Sequence, residues 1–557
     1  MLLTAVSLAA ALPFLPTLGG YFLADDFGLI QLFSQKSWWH VLTLFTNPWW
    51  DEIYGFRSDE LRPTVALSYQ LDWWIGGISP WGYHLSNLVF HVLAALLVYA
   101  LARWAAELGQ VCSALAGALF GVLAVHAEAV AWISGRADSI PAVCFMASVV
   151  AYARWRRAVP GGSAGVPSSR RWYWLSLAAF FFALFSKQSA VTLLPALVAY
   201  DVLVPRSQGA VRIEGPLLAQ VRSTLHGLPW RTYLPFAALT AGYLMLRTRL
   251  FGNAIREQQI TWERFQLFLE RQDTYLQMMA AGVEHLGGDG LNLAVATLVS
   301  GTCILAVWGS ARGSTSWGAL LFVGPVWWAT TVGPLAVTYL SARHLYLASA
   351  GIAIALAMGC NALWVAGPAG PRVAAGRLAG AGLATALLLG QLLALTVYVD
   401  RWNAAARLSE AVARALRDEV PDGALVLLGA PPSGDDPVRW AWVWGLALPF
   451  ARQPPFTPDD RKEAVSIVMR PEIYCCGYGE WYRLTREALL AWETGHYGPV
   501  IALAWETPSG ALIRRDGEAI REGVKRLRDA QTPGDMAGGI DGLLRPLGGT
   551  GARFRVS

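Results

Sequence analysis

The chain has 557 residues, of which 55% are hydrophobic and only 15% charged, with a mean hydropathy of +0.39. That is too apolar for a soluble enzyme of this size, and the apolar residues fall in blocks near bilayer length, so composition implies a polytopic α-helical membrane protein. The net charge of +5 is carried almost wholly by arginine, and no basic, aromatic-laced stretch points to nucleic acid as a partner.

The apolar run Met1 to Phe22 lacks a basic start and an A-x-A cleavage site, so it is expected to be a retained first span rather than a signal peptide. Apolar periodicity predicts about eleven membrane helices of ~20 residues. They fall near 2–22, 84–103, 111–127, 138–154, 172–187, 189–204, 232–250, 291–309, 317–337, 344–364 and 377–399. Arg154, Arg156, Arg157, Arg170 and Arg171 share one loop, and Arg206, Arg212, Arg222 and Arg231 another; with that span count both lie on the side of Arg103, Arg312, Arg372 and Arg377. The positive-inside rule makes this side cytoplasmic, places the N-terminus there, and puts the segment after the first and the last spans outside. In a bacterium the membrane is then the inner one.

Directly after the first apolar run come Asp25 and Asp26. Either they cap a helix that begins near Phe27, or they face the polar head of a lipid-borne substrate. The outer loop 23–83 is rich in tryptophan (Trp38, Trp39, Trp49, Trp50, Trp73, Trp74 and Trp81), which suits helices lying in the headgroup layer.

His84, Asn87 and His91 share one face of the second span, where they either bond to another helix or line a polar cavity. The short outer loop His126 to Asp138 carries His126, Glu128, Trp132, Arg136 and Asp138; Arg136 and Asp138 could simply pair with each other or cap the fourth span. Lys187, one of four lysines, stands in an outer turn as a snorkelling group or as part of the same polar surface. The segment 251–290 has the mixed, amphipathic character of a lid or interfacial helix, and Arg343 and His344 open the tenth span from outside.

Cys112, Cys144, Cys303 and Cys360 lie in apolar blocks as small core residues, while Cys475 and Cys476 are adjacent, a spacing that strains a mutual disulfide. No Cys/His set has zinc spacing, and no Walker motif or G-x-G-x-x-G suggests direct use of a nucleotide. Beyond Tyr398 the composition changes. Residues 401–557 read as a small extracytoplasmic α/β domain with a strand near 424–428 and a Gly-rich end at 533–552, against a membrane domain of 1–400.

Asp25-Asp26, the Leu61-Arg-Pro block leading to Pro80-Trp-Gly-Tyr-His84, the run Glu128-Ala-Val-Ala-x-x-x-Gly-Arg-Ala-Asp138, Ser186-Lys187 and Arg343-His-Leu-Tyr-Leu347 together resemble the membrane half of the TMTC proteins. These are O-mannosyltransferase-like members of the GT-C glycosyltransferases. The likeness covers roughly residues 15–360, and Lys187-Gln188 departs from the Lys-Glu common in that family. The 401–557 stretch stands where TMTC proteins carry a tetratricopeptide array, so a different acceptor is expected.

What the resemblance implies is a GT-C-like fold and transfer of a sugar from a polyprenyl-phosphate donor to a hydroxyl of a glycan, lipid or protein at the outer face, with inversion. It assigns Asp25 as the general base, with Asp26 second or orienting. Arg62, Arg136, Lys187, Arg343 and His344 are its candidates for the donor phosphate. His84, His126, Glu128 and Asp138 are its substrate-orienting groups. No metal or cofactor is required by this scheme, although a divalent cation is compatible with it. The alternatives are a transporter or flippase for a lipid-linked sugar, disfavoured because the titratable groups avoid mid-span positions, and a non-catalytic assembly protein.

Overall fold

The computed structural model describes residues 1–37, 39–48, 53, 59–158, 167–204, 228–254, 261–281, 289–337, 341–365, 371–428, 448–458, 466–469, 478–506, 511–515, 517–544 and 553–555. Trp38, Trp49, Trp50, Arg206, Arg212, Arg222, Cys475, Cys476 and the last part of the Gly-rich end lie outside these residues. The molecule is mostly helical. Among the described residues six helical stretches are long and apolar enough to cross a membrane: Leu2–Gly19, Pro80–Trp104, Ile133–Ala158, Leu293–Ala311, Trp317–Leu335 and Val373–Asp418. The pair Gln110–Val122 and Ala124–Ala131, bent by 51°, makes a seventh if counted as one span. The expected count of about eleven is higher. Gln188–Leu203 and Ser349–Val365 are apolar but short, Trp230–Phe251 carries Arg231, Arg247 and Arg249, and Pro167–Leu184 opens on a polar turn with Arg170 and Arg171. With several apolar, membrane-length helices, the chain is a multi-pass membrane protein.

Local chemistry sets the element ends that matter for the site. Pro63 and Pro80 each open a helix, where the missing N–H is no loss and φ is already helical. Between them Gly77 sits at φ +55, a conformation open to a residue without a Cβ, and reverses the chain. The resulting hairpin of helices Pro63–Gly76 and Pro80–Trp104 brings Ser68 and Asp72 beside Tyr83 and Asn87. Gly135 meets a second steric demand. A Cβ there would lie 2.6 Å from the Glu128 carbonyl oxygen and 2.7 Å from that of Ala129, so only glycine lets the 126–138 loop fold back on itself.

The last long helix, Pro371–Asp418, has 48 residues. At 1.5 Å per residue it is about 72 Å long, more than twice the hydrocarbon thickness, so part of it projects beyond the bilayer. It runs unbroken through residue 400, where the change in composition had placed a boundary. It leads to a five-stranded sheet of order β2-β1-β3-β4-β5, with β1 Leu425–Leu428, β2 Ser466–Met469, β3 Val500–Glu506, β4 Ala511–Arg515 and β5 Arg553–Arg555. β1 is parallel to β2 and β3, whereas β3–β4 and β4–β5 are antiparallel.

Period-two alternation divides the sheet's side chains between two cores. Leu425, Leu427, Val500 and Ala502 pack with residues of the helices Tyr478–Glu493, Glu518–Arg528 and Pro533–Leu544. Val426, Leu428, Ile501 and Leu503 join the core that contains Phe22, Leu23, Ala24 and Phe27. One face of the sheet therefore shares a core with the segment that carries Asp25 and Asp26.

Candidate active site

Asp25 and Asp26 occupy a tight turn whose two carboxylates meet different environments. Ala24, just before them, has φ +44, a left-handed conformation uncommon for a residue with a Cβ and the kind of strain that surrounding contacts must hold in place. Those contacts centre on Asp26, which is fully buried. Its Oδ2 accepts the Leu23 N–H at 2.9 Å, while its own N–H donates to the Leu23 carbonyl at 2.9 Å. Its Oδ1 accepts both the N–H and the hydroxyl of Ser134, at 3.0 and 2.5 Å.

Burial nevertheless pushes the Asp26 carboxyl up to about 7, against the bonds from Ser134 and Leu23, with the Asp25 charge adding and Arg136 subtracting. Asp25 is only partly buried, and although it precedes the helix Asp26–Gln35 its side chain makes no capping bond. The turn is clamped from a third side. Ser409 of the long helix donates its hydroxyl to the Phe22 carbonyl at 2.7 Å, and Phe456 packs edge-on to Phe22, ring centres 5.5 Å apart.

Arg136 is not a ligand-facing cation. Its side chain is wholly buried and its donors are committed within the protein. Nε donates to Asn87 Oδ1 at 2.9 Å and to the Ile133 carbonyl, one terminal nitrogen to Asp72 and Ser68, and the other to the Tyr83 carbonyl at 2.7 Å. The guanidinium also lies 4.6 Å from the Tyr69 ring centre. Its expected pairing with Asp138 and its expected role on phosphate both give way to this node, because the folded loop aims the side chain inward. Asn87 completes the arrangement by donating to the carbonyls of Val130, Trp132 and Ile133.

The remaining expected phosphate-facing cations do come together. Lys187 donates to Asp138, and Arg343 lies 3.4 Å from the same carboxylate and 3.8 Å from Glu128. Glu128 in turn accepts the Ser341 hydroxyl at 2.7 Å and the Arg343 N–H at 3.3 Å. His344 lies within electrostatic reach of Asp138, and Arg62, paired with Glu60 at 2.9 Å, within reach of Lys187. Arg62, Lys187 and Arg343 keep 12–16% of their side chains exposed where Arg136 keeps none, which separates cations a ligand can touch from one it cannot. Trp132 joins this cluster to the acidic turn. Arg343 lies 4.7 Å over its ring, its indole N–H donates to the Leu23 carbonyl at 3.3 Å, and it stacks on Trp402.

Two expected substrate-orienting residues lie elsewhere. His84 is buried against the Gly20 and Tyr21 backbone. His126 is fully buried, bonded through Nε2 to Ser349 at 2.7 Å and packed among Phe120, His91 and Tyr346. His126 is a core polar group that ties two helical segments together, as is His91 through Tyr346. Sequence inspection missed Ser134, Asp72, Tyr69 and Trp402. A serine or tyrosine inside an apolar pattern carries no charge signal, and the only hint of Asp72 was an acid facing an otherwise apolar helix. Among the described residues no group of three or more His, Cys, Asp or Glu side chains is placed to hold a metal ion.

No protein-family model matches the chain. Over 200 residues it is 32% identical to the protein O-mannosyl-transferase tmtc2 of Xenopus laevis, covering 34% of this chain and 23% of that protein. It is 34% identical over 200 residues to Tmtc2 of Drosophila melanogaster, covering 34% of this chain and 20% of the relative. The chain thus spans less than a quarter of the length of these relatives. Among solved structures, the oligosaccharyltransferase of Archaeoglobus fulgidus tethered to an acceptor peptide superposes with a TM-score of 0.52 at 10% identity, over 97% of this chain and 72% of that one. The chain therefore shares the fold of that oligosaccharyltransferase, and over about a third of its length its sequence is similar to the TMTC O-mannosyltransferases.

Proposed function

We propose that this protein is a glycosyltransferase that moves a sugar from a polyprenyl-phosphate donor to an acceptor hydroxyl at the outer membrane face. The observation that carries the reading is the link between the turn bearing the partly exposed Asp25 and the cluster of Arg62, Lys187, Arg343 and His344, made by Trp132, which donates its indole N–H to the Leu23 carbonyl and lies under Arg343. In the step, the acceptor oxygen attacks the anomeric carbon, its proton passes to Asp25, and the bond from that carbon to the phosphate oxygen breaks. A single displacement of this kind inverts the anomeric centre. The departing phosphate gains a negative charge as it changes from diester to monoester, and cations placed there stabilise the charge where it develops. Asp26 holds the turn, and Asp138 and Glu128 hold the cations. The sequence likeness to O-mannosyltransferases supports a hexosyl, mannosyl-like donor, and the positive-inside pattern supports an outward-facing site and sheet.

The test uses purified protein in lipid nanodiscs with a panel of polyprenyl-phosphate sugars and cell-envelope extract as the acceptor source, following free polyprenyl phosphate by mass spectrometry. Release with one sugar, abolished by Asp25→Asn, is the expected result. Absence of release with every donor, together with movement of intact donor across proteoliposomes, would replace this reading with transport.

A further inference from the structure

The helix Arg136–Ala158 starts at the candidate site and, with 23 residues, reaches about 34 Å away, one bilayer core's thickness. At that far end it meets the last turn of Pro80–Trp104 and the first turns of Pro167–Leu184. There the Arg154 guanidinium lies 4.4 Å from the Trp104 ring centre and 4.2 Å from that of Trp172. Arg157 also faces Trp104, at 5.9 Å, and Arg171 faces Trp172, at 5.4 Å. Two short basic, aromatic-bearing stretches, residues 152–157 and 170–174, supply most of this patch. The patch exists because three helix ends converge.

Two indoles fix the plane of the Arg154 guanidinium by cation–π contact, which uses its faces and leaves its edge N–H groups. Among the described residues, neither Arg154 nor Arg171 donates to any acceptor or forms an ion pair. Neighbouring arginines are differently placed: Arg157 pairs with Glu107 at 2.8 Å, Arg156 with Asp201 at 2.6 Å, and Arg103 donates to the Leu108 carbonyl. Among the described residues five arginines (Arg103, Arg154, Arg156, Arg157 and Arg171) gather with the two carboxylates Glu107 and Asp201, so the patch carries excess positive charge. A planar guanidinium held rigid, with its donors uncommitted, matches the forked geometry of phosphate oxygens. Tryptophan at a helix end sits at headgroup depth, where the phosphates of lipids are.

The geometry points to a binding site for the phosphate of an anionic phospholipid, formed by Arg154 and Arg171 on the Trp104–Trp172 platform, at the membrane face opposite the Asp25 turn. A headgroup with no compensating cation is selected, because an ammonium or choline would meet the arginine excess. The site is independent of the reaction assigned to the other face.

The test compares purified full-length protein in phosphatidylcholine nanodiscs, in the same discs containing phosphatidylglycerol, and in phosphatidylcholine discs with inorganic phosphate. Native mass spectrometry counts retained lipid, and thermal unfolding reports the stabilisation. Wild-type protein is expected to retain phosphatidylglycerol selectively and to be stabilised by it. Arg154→Gln and the more exposed Arg171→Gln are each expected to weaken retention about tenfold, the worth of one charge-assisted contact. Equal retention by wild type and Arg171→Gln would overturn the proposal. So would an Arg154→Gln loss of stability that is the same in both lipid compositions, which would make Arg154 only a pin between helices. Stabilisation by inorganic phosphate equal to that by the lipid would overturn it in favour of a soluble-anion site.

Discussion

Ser134 donates both its backbone N–H and its hydroxyl to a single carboxylate oxygen of Asp26, at 3.0 and 2.5 Å, across 108 residues of sequence. This contact ties the loop between two membrane helices to the acidic turn and leaves the neighbouring Asp25 facing a less buried environment. The two adjacent acids thereby differ: Asp26 is fully buried and holds the turn, while Asp25 stays partly exposed.

Asp25→Asn is expected to abolish transfer, by about 10²–10⁴-fold as for loss of a general base, while the protein folds and binds donor as before. Single-turnover release of polyprenyl phosphate measures the first effect and donor titration the second. Ser134→Ala is expected to act differently. It costs about 1–3 kcal/mol of stability through the buried acceptor it leaves under-bonded and lowers turnover through the turn, whereas Ser134→Thr restores much of both.

The pH dependence of stability follows from Asp26. Its carboxyl, pushed up from 3.8 to about 7 by burial, binds a proton more tightly in the folded than in the unfolded chain. Its contribution is therefore complete below about pH 4 and is lost as pH rises through about 7, by up to about 4 kcal/mol. Asp26→Asn should flatten that segment of the stability–pH curve. Ser134→Ala removes a bond that favours the ionised form, so the loss should move to higher pH. Thermal unfolding across the pH range reads both.

Arg136 belongs to the fold, not to donor recognition. Arg136→Ala is expected to destabilise the protein by about 3–5 kcal/mol, since it leaves Asp72 buried and unpaired. The folded fraction should keep its donor KM. Replacing the pair together, Arg136→Met with Asp72→Leu, should recover most of the stability, and denaturation of the single and double variants would show it.

Lys187→Ala and Arg343→Ala are expected to lower kcat/KM for the donor by about 10–100-fold, the worth of one charge-assisted contact each. Their effect on thermal stability should be smaller than that of Arg136→Ala, because they are partly exposed. Kinetics with the donor identified in the release assay would separate the two classes of cation.

In the proposed scheme Arg62, Lys187, Arg343 and His344 meet the charge of the leaving phosphate, so transfer is expected to survive EDTA. Loss of activity with EDTA, restored by a divalent ion, would put a metal among the groups that stabilise the leaving phosphate.

Much of the site was legible because charge is costly inside an apolar chain and therefore conspicuous. The acid pair after the first span, the Glu128–Asp138 loop, Lys187 and Arg343-His344 all stood out against their surroundings, and the structure brings most of them to one place. The glycine before Arg136 was visible too, and the close approach at Gly135 gives its reason. The helical segments were also legible, since apolar runs of membrane length have few other uses. The count of spans was less so, because a short apolar helix inside a bundle has the same composition as a spanning one.

The sequence by itself determined that the chain is a multi-pass helical membrane protein, and it placed acidic and basic groups at the ends of its spans. Which charges pair was decided only by the tertiary structure. Arg136 turned from Asp138, two residues away, to Asp72, and Lys187 took Asp138. Ser134, which carries no charge, became the partner of Asp26. The reason is physical. Desolvation makes the energy of a polar group depend on what lies within a few ångströms of it after folding, and those neighbours come from helices distant in the chain.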